Sequence, residues 1–330
     1  MKHVVKKVLK IVGWILGILF LLLIISGIVN AIMLNHESKS LRGAYGKSVP
    51  IDGGNVHVDI QGNGKKVVVL LPGLGVAAPA LDFKPLINNL KRDYTVVTYE
   101  GFGYGLSDDT TKPRTADNIV SEIHQTLAKL GYTKYSIVAH SVSGVYALKY
   151  SLKYTNEVEA VVGIDSTVPD QWDYIPEALK SQQPDIRLLT KLVRICGFFG
   201  IIRDYVSMDS NLTTTFDKTG YSFTSREKNL INKLTIRNFA SDAVLDENNR
   251  TNDHIENLTA TSKYPSGLPV KIFLARDTIE ENPSWEPLHV GQIEKPSAIS
   301  VVVLEGDHFL YHTQSTTIAD GLRSLVAPTE

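Results

Sequence analysis

The chain has 330 residues, of which 43% are hydrophobic, 21% are charged and 8% are aromatic. This composition is too apolar for a disordered protein. Four of the 34 basic residues lie within the first ten, so the rest of the chain carries 30 basic against 35 acidic residues, a net charge of −5. A mildly acidic body without a basic run argues against nucleic-acid binding. The single cysteine, Cys196, excludes an internal disulfide, a thiolate zinc site and a CxxC redox pair.

A long apolar segment opens the chain. From Ile11 to Leu34 the only hydrophilic side chains are Ser26 and Asn30, and as a helix this run extends about 36 Å, enough to cross a hydrocarbon core of about 30 Å. Lysines precede the run, so the positive-inside rule predicts a cytoplasmic N-terminus and an extracytoplasmic body. The alternatives are a buried helix and a cleaved signal peptide, whose apolar region is usually about 7–15 residues. The length of the run, with no A-x-A site closing it, favours an uncleaved anchor.

After this segment, short β-rich runs alternate with helical stretches. This is the pattern of an α/β protein with a mostly parallel sheet covered by helices on both faces. The predicted strands are Val56–Ile60, Lys66–Leu71, Thr95–Tyr99, Tyr135–Ala139, Ala160–Ile164, Val270–Ala275 and Ile299–Leu304. Apolar residues at helical spacing predict helices over Ile119–Leu130 and Val142–Tyr154.

The alternation stops near Asp165 and resumes near Pro269, and this interruption suggests how the chain is divided. The intervening residues are polar and mostly helical in propensity, so we expect a cap inserted over the edge of the sheet. The expected segments are a basic N-terminus (1–10), a transmembrane anchor (11–34), a linker (35–48), the first part of the core (49–165), the cap (166–266) and the second part of the core (267–330).

A strand runs directly into a helix through Ser141, in the segment SIVAHSVSG at residues 136–144. A nucleophile at such a turn has a strained backbone, so the residues two before and two after it must be small, as Ala139 and Ser143 are. The turn would expose the Ser141 hydroxyl at the carboxyl edge of the sheet and aim the Val142 N–H toward a developing oxyanion. The competing interpretation is an ordinary strand–helix connection with a capping serine.

Two glycine-rich turns follow other predicted strands. The segment LLPGLG at residues 70–75 would present the Leu74 N–H as a second oxyanion donor, and no Gly-Lys-Ser/Thr follows it, which argues against a phosphate loop. The segment GFGYG at residues 101–105 has Leu106 at the third glycine position of a dinucleotide fingerprint, which argues against NAD binding.

Metal-ligand spacings such as HExxH are absent from the sequence, so we expect neither a metal nor an organic cofactor.

A histidine follows the last predicted strand, in the segment VLEGDH at residues 303–308. His308 would lie at the same sheet edge as Ser141, which suits a general base. His312 is the rival histidine, but it lies within the following turn. His140 adjoins Ser141 and is expected to pack under the turn.

These motifs together resemble the α/β-hydrolase fold superfamily, over about residues 50–165 and 268–327. The segments that match are the oxyanion loop His-Gly-x-Gly (residues 72–75), the segment D-x-G-x-G-x-S-D (residues 100–108), the elbow Gly-His-Ser-x-Gly-Gly (residues 139–144) and the terminal histidine loop (residues 306–308). Pro72 replaces the usual histidine, and Ala139 and Ser143 replace glycines, which leaves the subfamily open.

The resemblance implies a serine hydrolase in which Ser141 is the nucleophile and His308 is the base. The family commonly takes the triad acid after the seventh strand, which favours Asp277 here. Some branches take the acid after the sixth strand, where Asp165 stands, although many members keep an aspartate there without a catalytic duty. Glu280 and Glu281 are more distant choices.

The expected reaction is hydrolysis of an ester or related acyl bond in a small molecule, in the manner of a carboxylesterase or lipase, with the N–H groups of Leu74 and Val142 as the oxyanion hole. A serine nucleophile counts against epoxide hydrolase and haloalkane dehalogenase, whose relatives in this fold use aspartate. Aminopeptidase and acyltransferase activities stay open, because the cap sets the substrate. The rival from another class is a membrane-tethered ligand receptor that keeps the triad but has little or no activity.

Overall fold

A computed structural model gives the structure of the chain and describes residues 2–169, 171, 186–208, 220–256, 258, 262–291 and 299–328. Within these residues, eight strands form one sheet in the order β1-β2-β4-β3-β5-β6-β7-β8. The strands are β1 (Lys47–Ile51), β2 (Gly54–Gln61), β3 (Val67–Leu71), β4 (Thr95–Glu100), β5 (Tyr135–His140), β6 (Val158–Ile164), β7 (Val270–Ala275) and β8 (Ile299–Leu304).

The first two strands pair antiparallel, and every pair from β4 across to β8 is parallel. The carboxyl ends of the parallel strands therefore meet at one edge, where α/β sheets bind their ligands. All five side chains of β3 and all six of β5 are buried, because helices cover both faces of the sheet. This arrangement explains why these strands read as continuous apolar runs.

The described helices, numbered in chain order, are α1 (Lys2–Leu41), α2 (Pro79–Asp82), α3 (Lys84–Leu90), α4 (Ala116–Lys129), α5 (Ser143–Lys153), α6 (Ile186–Phe198), α7 (Ile201–Met208), α8 (Ser225–Asn238), α9 (Asp242–Asn249), α10 (Thr251–Glu256), α11 (Arg276–Glu281), α12 (Trp285–Gly291), α13 (Leu310–Thr313) and α14 (Ser315–Leu325). Helices α4, α5 and α12 bury their apolar sides in the core on one face of the sheet. Helices α3, α13 and α14 cover the other face.

The predicted α/β fold is confirmed, and each of the seven predicted strands lies within two residues of an observed one. Strand β1 was not predicted. It lies at the edge of the sheet, contains Pro50, and buries only the side chain of Val49, so its sequence carries no alternating pattern.

The linker predicted at residues 35–48 differs from the structure. Residues 35–41 continue α1 without a break, and Lys47 already belongs to β1. No glycine or proline occurs between residues 28 and 42, and the first glycine after the helix, Gly43, adopts a left-handed conformation with φ of 66°. Leu41 is buried against Ala78 and Leu234, so the end of α1 packs on the body of the protein.

The N-terminal helix is long and apolar enough to cross a membrane. Its span from His3 to Leu41 has a mean hydropathy of 2.8 over its most apolar window, and the rest of the protein does not bury that window. A signal sequence near an N-terminus satisfies the same criteria. Between β6 and β7 the described residues form helices α6 to α10, and the division of the chain into an anchor, a core and a cap stays a prediction.

Candidate active site

Ser141 occupies the turn between β5 and α5, and its backbone is left-handed with φ of 54°. The Ser141 N–H donates to the Ile164 carbonyl at 3.1 Å, and its own carbonyl accepts from the N–H groups of Gly144 and Thr167, each at 2.9 Å. A Cβ atom at Gly144 would lie 2.6 Å from the Thr167 carbonyl oxygen, so only glycine fits there. The strained conformation is therefore held by the strand next to β5 and by the loop that follows it.

Asp165 is the first residue after β6, and its carboxylate is fully buried. It accepts four hydrogen bonds, from His308 Nδ1 at 2.7 Å, Thr278 Oγ1 at 2.6 Å, Trp285 Nε1 at 2.8 Å and the Ala275 N–H at 3.1 Å. Burial by itself favours the neutral acid, but the hydrogen bonds from His308 and Thr278 outweigh it, so the pKa of Asp165 lies below its usual value. The carboxylate is charged at neutral pH.

His308 lies in the loop between β8 and α13, and 40% of its side chain is exposed. Because its Nδ1–H is donated to Asp165, a neutral imidazole leaves Nε2 free to accept a proton. The described residues include no hydrogen bond between His308 and the Ser141 hydroxyl; such catalytic contacts are often long until substrate binds.

His140, which precedes Ser141, is buried beneath this site. Its ring lies 4.6 Å from the ring of His308, centroid to centroid, and its Nε2–H donates to the His308 carbonyl at 3.0 Å. Burial lowers the pKa of His140 well below its usual value, so the ring is neutral. His140 therefore fixes the backbone that carries His308.

Asp277, the acid favoured from the sequence, is not the hydrogen-bond partner of His308 Nδ1 in the structure. Helix α11 begins immediately after β7, so Asp277 sits in its first turn with an exposed side chain. Its backbone N–H donates to the Gly306 carbonyl at 3.3 Å, and no side-chain hydrogen bond joins it to His308 within the described residues. Glu280 and Glu281 are also exposed. The preference for Asp277 is therefore corrected: the geometry pairs His308 with Asp165.

The two predicted oxyanion donors both lie close to Ser141. Val142 is the residue before α5, and Leu74 lies in the turn after β3. Neither N–H donates to a protein acceptor among the described hydrogen bonds. A Cβ atom at Gly73 would lie 3.0 Å from the Ser141 Cβ atom, so glycine brings this turn close to the serine. Both amides are thus available beside the Ser141 side chain.

A cavity of about 330 Å³ opens beside Leu74 and Phe309, the neighbour of His308. Its walls are mainly apolar and come from the turn after β3, from α8 and from the loop after β8. Among the lining residues are Leu74, Val76, Ala78, Ile231, Phe239 and Phe309. A pocket of this size and character suits a small apolar group.

One polar cluster closes part of the cavity wall. The Asp82 carboxylate accepts hydrogen bonds from the Tyr311 hydroxyl and from His312 Nε2, the latter at 3.0 Å. His312, the rival histidine, therefore faces Asp82. The described residues contain no group of three or more His, Cys, Asp or Glu side chains placed to hold a metal ion.

A second buried carboxylate links the inserted helices to the site and was not predicted. Glu247 on α9 accepts from the Tyr146 hydroxyl at 2.8 Å and from the Tyr104 hydroxyl at 3.0 Å. The Tyr104 hydroxyl in turn accepts from the Gly75 N–H at 3.4 Å, next to Leu74. These residues are far apart in the sequence, and Thr278 and Trp285 were missed for the same reason. Ordinary helix or loop composition around them gives no local signal.

The chain matches the family model of the α/β-hydrolase fold over residues 66–193. It is 33% identical to the uncharacterized protein YbdG of Bacillus subtilis over 168 residues, covering 50% of this chain and 51% of YbdG. It is 28% identical to the human serine hydrolase BPHL over 175 residues, covering 50% of this chain and 59% of BPHL. The match thus spans roughly half the length of these two curated relatives.

Solved structures agree with the fold. A putative α/β hydrolase from Nostoc, ALR0039, matches with a TM-score of 0.62 and 16% identity, over 88% of this chain and all of that one. A membrane phospholipase A described as a bacterial virulence factor matches with a TM-score of 0.60 and 17% identity, over 99% of this chain and 98% of that one. The family model over residues 66–193, the sheet order and the strand–turn–helix at Ser141 together show that the chain has the α/β-hydrolase fold.

Proposed function

We propose that this chain is a serine hydrolase that cleaves an ester or related acyl bond through an acyl-enzyme intermediate. The observation that carries the proposal is the 2.7 Å hydrogen bond from His308 Nδ1 to the buried Asp165 carboxylate, at the sheet edge where Ser141 sits in a strained turn. A charged acid, a histidine that it orients and a serine at a strand–helix turn are the parts of a catalytic triad.

In the proposed reaction, the Ser141 hydroxyl attacks the acyl carbonyl while His308 Nε2 takes its proton. The N–H groups of Leu74 and Val142 stabilise the negative charge that develops on the carbonyl oxygen. His308 then gives the proton to the leaving alcohol, and a water molecule releases the acyl group by the same steps in reverse. Asp165 stays ionised throughout and stabilises the imidazolium.

The cavity supports an apolar acyl group as the part of the substrate that the protein recognises. Leu74 lines the cavity, so a carbonyl held by the Leu74 N–H would have one of its substituents close to the cavity. We therefore propose esterase or lipase-like specificity, for a small-molecule acyl substrate.

We also propose that α1 anchors the protein in a membrane, with the N-terminus in the cytoplasm and the catalytic domain outside. The exposed apolar side chains of α1 would be unfavourable in water. The lysines before residue 11 set the orientation by the positive-inside rule.

Labelling with a fluorophosphonate probe tests the nucleophile. The parent should be labelled, and Ser141→Ala should lose labelling and reduce kcat on p-nitrophenyl esters by about 10³-fold or more. Ser151→Ala is the matched control, because that hydroxyl lies on α5 but donates only to the Ala147 carbonyl. Equal labelling of Ser141→Ala and the parent would remove Ser141 from the mechanism. A parent that binds esters but is neither labelled nor active would be a ligand receptor.

Extraction and protease protection test the anchor. The full chain should stay with membranes in high salt and alkaline carbonate but dissolve in detergent, because about 30 Å of hydrocarbon surrounds α1. Protease outside intact cells should digest the domain after residue 35. Digestion only after lysis would reverse the proposed orientation, and release by carbonate together with a shortened N-terminus would indicate a cleaved signal.

A further inference from the structure

Helices α6 and α7 form a hairpin, residues 186–208, whose turn lies against α1. The Ser26 hydroxyl donates to the Phe199 carbonyl at 2.7 Å, and Asn30 Nδ2 donates to the Gly197 carbonyl at 2.9 Å. Ser26 and Asn30 are the two hydrophilic side chains of the apolar segment. The hairpin therefore provides hydrogen-bond partners for both hydrophilic side chains of the apolar segment, as a protein contact within a membrane must.

The contacts also set how deep the hairpin turn would lie. Asn30 and Ser26 precede Leu34 by four and eight residues, so they lie about 6 and 12 Å below the end of the apolar run. The Arg203 guanidinium donates from Nε to Asn30 Oδ1 at 2.9 Å and pairs with both oxygens of Glu37, beyond that end, at 2.8 Å. The guanidinium thus spans the end of the apolar run, where lipid headgroups would begin, and the turn at residues 197–200 contacts α1 below that end.

Both helices of the hairpin expose an apolar stripe. The stripes are Leu188, Leu192 and Ile195 on α6, and Ile201, Tyr205 and Met208 on α7, each at positions i, i+4 and i+7. These six side chains are 44% to 85% exposed. The opposite sides pack inward: Thr190 donates to Asn249 Oδ1 at 2.9 Å, and Val206 is buried.

Exposed apolar residues of α1 lie at the same height as the turn. Ile28 and Val29 are about half exposed, and they sit between Ser26 and Asn30, the residues that bind the hairpin. Phe198 is 69% exposed although its ring and carbonyl approach Gly27. A bilayer that surrounds this part of α1 would also surround the hairpin turn and the stripes that continue from it.

We propose that the hairpin at residues 186–208 is a second membrane-contacting element, buried in the leaflet that contains the end of α1, with its two apolar stripes against lipid acyl chains. The inference rests on the membrane anchor proposed above and is independent of the hydrolytic reaction. Basic residues border the α6 stripe, as in helices that lie at an interface: Lys191 is exposed, and Arg194 pairs with Asp242 at 2.8 Å.

Spin labels on single cysteines test the proposal in the full chain. Cys196→Ala removes the native thiol, and a label is then attached after Leu192→Cys or Met208→Cys. Leu152→Cys is the matched control, since Leu152 is an exposed leucine on α5, and Leu22→Cys reports on the anchor. In phosphatidylcholine vesicles, collisions with oxygen, which concentrates in lipid, are compared with collisions with a water-soluble nickel complex.

We expect the labels at Leu192 and Met208 to collide more often with oxygen than with the nickel complex, as the label at Leu22 should. The label at Leu152 should collide more often with the nickel complex. A water-like result at Leu192 with a lipid-like result at Leu22 would overturn the hairpin inference and leave the anchor intact. Protection from both reagents would mean that protein, such as a second copy of this chain, covers the stripes, and would also overturn it. A water-like result at Leu22 would refute the anchor and the inference together.

The polar contacts to α1 give an independent second measurement. With Ser26→Ala and Asn30→Ala combined, the hairpin loses its hydrogen bonds to the apolar segment of α1 and keeps only the Arg203–Glu37 pair beyond it, so collisions of the label at Leu192 with the nickel complex should increase relative to those with oxygen. The label at Leu22 should not change. An unchanged Leu192 label would overturn the assignment of Ser26 and Asn30 as the contacts that hold the hairpin in the membrane.

Discussion

Two buried carboxylates at the carboxyl edge of the sheet behave in opposite ways. Glu100 ends β4 and accepts hydrogen bonds from the Tyr45 hydroxyl and from the N–H groups of Ala80 and Leu106. Burial nevertheless raises the pKa of Glu100 to about 7. Asp165, just after β6, is as deeply buried, yet its pKa lies below the usual value.

The difference lies in the neighbouring groups. Hydrogen bonds from His308 and Thr278 outweigh the effect of burial on the pKa of Asp165, and His308 can also become a cation, whereas burial dominates at Glu100 and the Asp59 carboxylate raises its pKa slightly further. Hydrogen bonds from neutral donors do not offset the effect of burial on the pKa of Glu100. Two buried carboxylates that each accept several hydrogen bonds can therefore differ in charge: Asp165 is ionised and pairs with a histidine, whereas Glu100 has a raised pKa and joins the Tyr45 segment to the core.

The largest expected effect is on activity, from Asp165→Asn. Loss of the charge that orients His308 and stabilises its cation should reduce kcat by about 10⁴-fold. Asp277→Asn is the control and should stay within about tenfold of the parent, because its side chain is exposed and makes no described hydrogen bond to His308. Steady-state kinetics on p-nitrophenyl esters measures both. A severe loss in Asp277→Asn with a mild one in Asp165→Asn would restore the acid favoured from the sequence.

Glu100→Gln should alter the pH dependence of stability without a comparable loss of kcat. Because the pKa of Glu100 is raised to about 7 in the folded protein, the unfolded chain ionises first as pH rises. The free energy of unfolding of the parent should therefore fall between about pH 4.5 and 7, by at most about 3 kcal/mol, and then level off.

In Glu100→Gln this decline should flatten, whatever the absolute stability of the variant. Glu280→Gln, an exposed substitution, should keep the parent slope. Denaturant unfolding of the detergent-solubilised chain at several pH values measures how the free energy of unfolding depends on pH. A parent slope that survives in Glu100→Gln would mean that Glu100 is ionised in the folded protein, like Asp165.

The smallest expected effect comes from removing one donor to Asp165. Thr278→Val deletes the hydroxyl 2.6 Å from Oδ2, so the pKa of Asp165 should rise toward its unfolded value. A depressed pKa contributes stability above the unfolded value of about 3.9, and this stability is lost as pH falls through the folded pKa. On acidification, Thr278→Val should therefore lose this part of its free energy of unfolding at a higher pH than the parent. The shift should be up to about one pH unit.

The comparison is made against the same variants in an Asp165→Asn background, where the pH-dependent difference should vanish. Thr278→Ser keeps the donor and should behave like the parent. Identical acid profiles of Thr278→Val and Thr278→Ser would show that this hydroxyl does not help to keep Asp165 ionised.

Much of the fold followed from local patterns. The central strands are continuous apolar runs because both of their faces are covered, and β7 was placed at its observed bounds. The edge strand β1 and the continuation of α1 to Leu41 were not foreseen. Their sequences are short or polar and carry no clear periodicity. Their secondary structure depends on packing against the rest of the protein, as where Leu41 lies in a buried cluster with Leu234.

The candidate site also has residues that local sequence could predict and residues that it could not. Ser141 was predicted because its backbone turn requires small neighbours at fixed spacing, and His308 was predicted because it closely follows a strand. The partner of His308 was misplaced because Asp165 and Asp277 both follow strands. Which one reaches His308 depends on a left-handed turn at Asp165 and on α11 starting at once after β7.

By itself, the sequence determined the α/β order of strands and helices, the apolar length of α1 and the candidates Ser141, His308, Leu74 and Val142, because each depends on residues within a few positions of one another. Only the tertiary structure decided the partner of His308, the link from Glu247 to Tyr104 and the contacts of Ser26 and Asn30 with the hairpin. Each of these joins residues at least 140 positions apart, and no local pattern encodes a distance across the fold.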